Sequence, residues 1–107
     1  MISKSPAKKI TIYLNEDAQQ KHEALYKAIL EFLLKRGVSG ATVTRGIAGF
    51  GAHHVVHTAR IELLAEHLPL KIEFIESAEK VEALLPELSN MVKDGLIEMQ
   101  DTTVVKA

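Results

Sequence analysis

Residues 37–57, GVSGATVTRGIAGFGAHHVVH, gather five of the chain's six glycines and three of its five histidines. Two kinds of chemistry suit such a stretch. Backbone N–H groups freed by glycine can curl into a nest that holds an anion. Imidazoles at close spacing can hold a metal or change charge near neutral pH. The same glycines also read as a permissive turn between strands, with Gly37 capping a helix, Gly40 in a turn, and Gly46, Gly49 and Gly51 in bulges or loops. The named phosphate motifs are missing. Gly46, Gly49 and Gly51 are spaced G-x-x-G-x-G, the reverse of the dinucleotide fingerprint, and follow a strand rather than opening a helix. No glycine precedes Lys and Ser or Thr, so there is no Walker loop.

His53, His54 and His57 form H-H-x-x-H. On a helix, His53 and His57 would share a face and could bind one metal, with Glu62, Glu66 or His67 as a third ligand. As solvated loop residues they would bind loosely, having no fixed carboxylate or cysteine beside them. They stand as weak metal candidates. With ordinary pKa values of about 6.5, the trio could instead make the charge of the segment depend on pH. Catalysis needs a placed nucleophile or acid–base pair. Ser39, Thr42 and Thr44 lie near His53 in sequence without a nucleophile elbow, and the glutamates read as solvated faces. No catalytic residue and no enzyme activity is expected.

Composition bounds the rest. A chain of 107 residues, 47% hydrophobic and 25% charged, has the size and balance of one soluble globular domain spanning 1–107. A net charge of −1 gives no large basic surface for nucleic acid. The absence of cysteine excludes disulfides, a thiolate nucleophile and a sulfur-rich metal site. The start, MISKSPAKK, has no apolar signal region, and no apolar run reaches the roughly 20 residues of a spanning helix. A cytoplasmic location is expected.

The elements that must position the glycine-rich stretch follow from periodicity. KKITIYLN (8–15) alternates as a half-buried strand, with Ile10, Ile12 and Leu14 on one face. EDAQQKHE is a loop or a frayed helix start, Asp17 and Gln20 having capping-box spacing. EALYKAILEFLLKRG predicts a helix with a Leu25, Ile29, Phe32 and Leu33 stripe, ended by Gly37. ATVTRGI (41–47) is β-branched and reads as a strand. Residues 48–68 are irregular, and PLKIEFIE (69–76) alternates again. A second helix, N-capped by Ser77 and kinked at Pro86, runs to Gly95. LIEMQ and TTVVKA predict two short closing strands.

This βαββαβ order, with a long loop between strands 2 and 3, predicts an α+β ferredoxin-like sandwich with both helices on one face of an antiparallel sheet. Val43, Ile97 and Tyr13 are expected on an apolar outer face, which would favour an oligomer.

GVSGATVTRGIAGFG, followed later by HLPLKIEFIE, resembles the PII signalling proteins, where a Gly-x-Ser/Thr-Gly-x-Thr-Val run leads to Gly-Phe-Gly at the base of a long loop. The likeness is closer still to a small PII-like family of unknown function (DUF190), through IYLNE, LYKAI, GATVTRGIAGFG, HTARI, LP and NMVKDGLI, and covers about residues 10–100. The resemblance implies a homotrimer with a regulatory role and an adenine nucleotide in the cleft between subunits. By position it implies Gly40 and Thr42 on the second strand, Gly49, Phe50 and Gly51 at the loop base, and Ile75 on the third strand as ligand-binding residues. Glycine permits close approach, Thr42 offers a hydroxyl, and Phe50 an apolar wall.

The chain also departs from PII. Ala52 and His53 replace an Arg-Gln pair, KDGLIEMQD replaces a glycine- and lysine-bearing phosphate loop, and Lys106 alone is basic at the C-terminus. A triphosphate needs several donors, so the implied ligand is AMP-like rather than ATP. No resident cofactor is implied beyond that nucleotide.

Two functions follow. One is a trimeric sensor that binds a small ligand and signals to a partner protein, a membrane transport protein or a regulated enzyme, through the 48–68 loop. The other is a metal- or ion-responsive module built on His53, His54 and His57 and linked to a membrane transporter. A constitutive protein–protein module is the account left if neither ligand acts.

Overall fold

A computed structural model of the chain describes residues 2–51, 57–58 and 68–106. The first strand, β1 (Ser3–Asn15), leads into a small hairpin of β2 (Gln19–Gln20) and β3 (Glu23–Ala24), then helix α1 (Leu25–Lys35). β4 (Thr42–Arg45), β5 (Ala48–Gly49) and β6 (His57–Thr58) follow, then β7 (Pro69–Glu76), helix α2 (Ala78–Met91) and β8 (Leu96–Lys106). The main sheet has the order β4–β7–β1–β8, and every neighbouring pair is antiparallel. Each helix therefore connects two strands that have a third between them, which is the ferredoxin-like split βαβ arrangement. Among the described residues, no helix is long and apolar enough to cross a membrane.

The alternation of β1 drives the core. Ile10 and Ile12 are fully buried with Ile29 of α1, Ile72 of β7, and Val81 and Leu88 of α2. Each such side chain contributes about 2 kcal/mol by leaving water. The α1 stripe packs as expected and ends in a Schellman motif. Val38 N–H donates to Leu33 O at 3.0 Å, Gly37 N–H to Leu34 O at 3.1 Å, and Gly37 takes φ +76°. Ser77 caps α2 by accepting from Lys80 N–H at 3.3 Å. The helix continues through Pro86.

Five expectations are corrected. Residues 19–24 form a hairpin whose turn residues, Lys21 and His22, both have positive φ. α1 then starts without a side-chain cap, and Leu25 N–H instead donates to Ala18 O at 2.8 Å. The first strand begins at Ser3 because residues 3–7 pair with the C-terminal residues 102–106. For the same reason the two closing strands are one, since Asp101 sits in register opposite Lys8 and pairs with it. α2 ends at Met91. Gly95 serves the sheet instead, because a Cβ there would collide with Tyr13 O and come within 2.8 Å of Val92 Cγ1.

The fifth correction concerns the sheet's faces. Val43 and Ile97 lie opposite Ile72 and Ile12 in register, so both turn to the helix side and pack against the core. Only Tyr13 of that trio faces outward. The outer face instead carries Lys9–Glu73 at 3.1 Å, Lys71–Glu73 at 3.5 Å and the Tyr13 hydroxyl donating to Glu98 at 3.2 Å, beside the exposed Ile75 and Leu96. Parity decides this, because a residue's face is set by its strand partner and not by its own hydropathy.

Candidate functional site

The glycine-rich stretch is held at two places. At its start, Glu76 at the end of β7 accepts from Ser39 N–H at 2.7 Å and from Ser39 Oγ–H at 3.0 Å. Lys80 lies 3.9 Å from the same carboxylate and donates to Gly37 O at 2.5 Å. Burial by itself would push the Glu76 carboxyl up. The two Ser39 hydrogen bonds and the Lys80 ammonium outweigh it and hold the carboxyl below the ordinary range. The turn carrying Gly40 is thus anchored to the sheet and to α2.

At the other end of β4 the chain is clamped to Pro69. Gly46 N–H donates to Pro69 O at 2.7 Å. A Cβ on Gly46 would stand 2.9 Å from Pro69 Cγ, and one on Gly49 would stand 3.1 Å from it. At Gly46 a side chain would have to displace the proline ring or the backbone, and at Gly49 one would press against the same ring. The chain then leaves as a short hairpin, with Ala48 opposite Thr58 and Gly49 opposite His57.

Gly40 and Gly51 differ from them. A Cβ at either would meet nothing within 4 Å, and neither has a positive φ that demands glycine. Nothing within the described chain accounts for their lack of a side chain.

The six ligand candidates divide into two hollows at opposite ends of β4. Gly40, Thr42 and Ile75 border one of about 620 Å³ with Lys9 and Glu73 on its wall. Gly49, Phe50 and Gly51 border another of about 330 Å³, floored by Leu14, Pro69 and Leu70. Phe50 is 70% exposed and Ile75 41%. In the first hollow the hydrogen-bonded Lys9 ammonium holds the Glu73 carboxyl below its usual range; burial opposes this and Lys71 adds to it.

Sequence reasoning passed over Arg45, Lys71, Tyr13 and Asp94, all of which border the smaller hollow. Arg45 stands directly before Gly46 and is ion-paired with Glu16. Its place in the TVTRG run was visible, but its position on the hollow depends on strand pairing across β4, β7 and β1. His53 and His54 lie outside the described residues, as does the side chain of His57. Among the described residues, no three His, Cys, Asp or Glu side chains come together as a metal site.

Comparison with known proteins agrees with this architecture. The family model DUF190, described as an uncharacterized ACR (COG1993), matches residues 7–104. A UPF0166 protein of Methanocaldococcus jannaschii is 39% identical over 101 residues, covering 94% of this chain and 93% of the relative. One from Aquifex aeolicus is 34% identical over 98 residues, covering 92% of each. Among solved structures, the nitrogen regulatory PII-like protein CPII from Thiomonas intermedia, bound to ADP, AMP and bicarbonate, superposes with a TM-score of 0.75 at 20% identity. The match covers 95% of this chain and 91% of CPII. The ferredoxin-like sheet, with its loop leaving β4 over Pro69, is thus a PII-type fold, and the chain belongs to the DUF190 (UPF0166) family.

Proposed function

We propose that this protein is a non-catalytic PII-like regulator that binds an adenine nucleotide in clefts between the copies of a homotrimer. The ligand is AMP-like rather than ATP-like, and its occupancy reaches a partner protein through the 48–68 loop. The partner is a membrane transport protein or a regulated enzyme, and a cytoplasmic location belongs to the same reading. CPII, which shares the fold, is bound to ADP and AMP.

The observation that carries the reading is the division of the ligand candidates. Gly40, Thr42 and Ile75 lie at one end of edge strand β4 and Gly49, Phe50 and Gly51 at the other. Both groups are open on a single chain. A second copy set against this edge would bring one copy's Thr42 group to the next copy's Phe50 group. The two glycines with empty space around them would then be small for the ligand's sake. Ligand bound beside Gly51 would select one posture of the adjoining loop, which a partner can read.

The test is light-scattering mass combined with a thermal-shift titration using AMP, ADP and ATP. A trimer whose melting temperature rises with AMP, and loses that response on Phe50→Ala, supports the reading. A monomer indifferent to all three nucleotides refutes it.

A further inference from the structure

We propose that Arg45 receives the anionic group of the ligand in the hollow beneath the loop, and that Glu16 holds the guanidinium until that group displaces it. The inference rests on the nucleotide reading and adds to it the residue that meets the phosphoryl group.

Arg45 and Lys71 are the two cations on the wall of the smaller hollow among the described residues, and Asp94 is its one acid. Arg45 is the last residue of β4. The next residue, Gly46, is fixed to Pro69 by its N–H, so the arginine's starting point does not drift. The existing partner holds it by one prong. Glu16 meets the guanidinium through Nη2 and Oε2, while its other oxygen, Oε1, is buried and makes no hydrogen bond among the described residues. Strong arginine–oxyanion pairs are two-pronged. The Arg45 side chain is 53% exposed and that of Glu16 14%, so the pair is open to solvent on the arginine's side. A phosphoryl group, with several oxygens in the geometry the fork prefers, outcompetes a one-pronged carboxylate.

Lys71 stands opposite Thr44 on the outer face, on the other side of the sheet from Arg45, which stands opposite Leu70. Lys71 shares the Glu73 carboxylate with Lys9, which lies nearer. A single guanidinium fork suits a ligand bringing one phosphoryl group. It does not suit a triphosphate of about four negative charges, which would need further donors.

The experiment titrates the full chain with AMP, adenosine and inorganic phosphate, by calorimetry and thermal shift, in wild type, Arg45→Gln, Arg45→Lys and Glu16→Gln. Wild type should bind AMP roughly tenfold or more tighter than adenosine. Arg45→Gln should erase that preference while adenosine affinity stays; Arg45→Lys should keep part of it. Glu16→Gln should widen the preference, since the competitor is gone. An AMP preference equal in wild type and Arg45→Gln overturns the proposal and leaves the nucleotide reading standing. If neither AMP nor adenosine binds, the nucleotide reading fails and phosphate decides. Phosphate that raises the melting temperature of wild type but not of Arg45→Gln sustains the anion site. Phosphate that acts on both alike, or on neither, overturns it.

Discussion

Gly46 and Pro69 lock the foot of the loop to the main sheet. The glycine N–H donates to the proline carbonyl at 2.7 Å, and the proline ring fills the space where a side chain at 46 would begin. The relationship separates two classes of glycine in one short run. Gly46→Ala should cost about 1–3 kcal/mol because the ring or the backbone must move. Gly51→Ala and Gly40→Ala, with open space around the new methyl, should leave stability within about 0.5 kcal/mol or raise it slightly. Urea denaturation of the three variants, beside AMP titration, checks this. Gly51→Ala and Gly40→Ala should weaken nucleotide binding despite their intact stability.

Ser39 and Glu76 make a pH-sensitive anchor. The Glu76 carboxyl is held below its ordinary range in the folded chain. Its stabilising contribution is therefore complete above the ordinary carboxylate pKa of about 4.3 and is lost as pH falls through the lower folded value. Glu76→Gln should flatten the stability curve on the acid side and leave its slope near pH 7 unchanged. Ser39→Ala, which removes the hydroxyl donor and keeps the backbone one, should cost about 1–2 kcal/mol at neutral pH. Denaturant midpoints measured across pH 3 to 7, about that span being enough to cover carboxylate titration, give both results.

The β2–β3 turn holds two non-glycine residues in the left-handed region, Lys21 at φ 50° and His22 at φ 68°. A two-residue hairpin loop of this shape favours Asn-Gly. His22→Gly should stabilise the protein by about 1 kcal/mol, and Lys21→Asn by less. A rise in the urea midpoint without a change in slope is the expected result.

Much of the fold was legible because the local signals agree with the tertiary ones. The alternation of Ile10, Ile12 and Leu14, the α1 stripe, Gly37 and Ser77 all do in the structure what their positions announce. What was not legible depended on partners distant in sequence. Val43 and Ile97 turn inward because Ile72 and Ile12 face them. Asp101 reads as a strand breaker until Lys8 appears opposite it. Lys21-His22 carries no turn signature, and the hairpin is set by Leu25 and Ala18 closing behind it. At the candidate site, the glycine run marked the right stretch but mixed two duties, since a side chain at Gly49 would press against Pro69. Arg45 was passed over because a lone arginine at a strand end is ordinary until the sheet places it on a hollow.

The central claim is that one site is shared by two copies, and a mixing experiment tests it most directly. Thr42→Ala impairs one half of the site and Phe50→Ala the other, and each alone should bind AMP weakly or not at all. Unfolded together and reassembled in equal amounts, the two variants should regain binding in about one site in four, because that share pairs an intact Thr42 half with an intact Phe50 half from a neighbour. A mixture that binds no better than either variant alone would contradict the account.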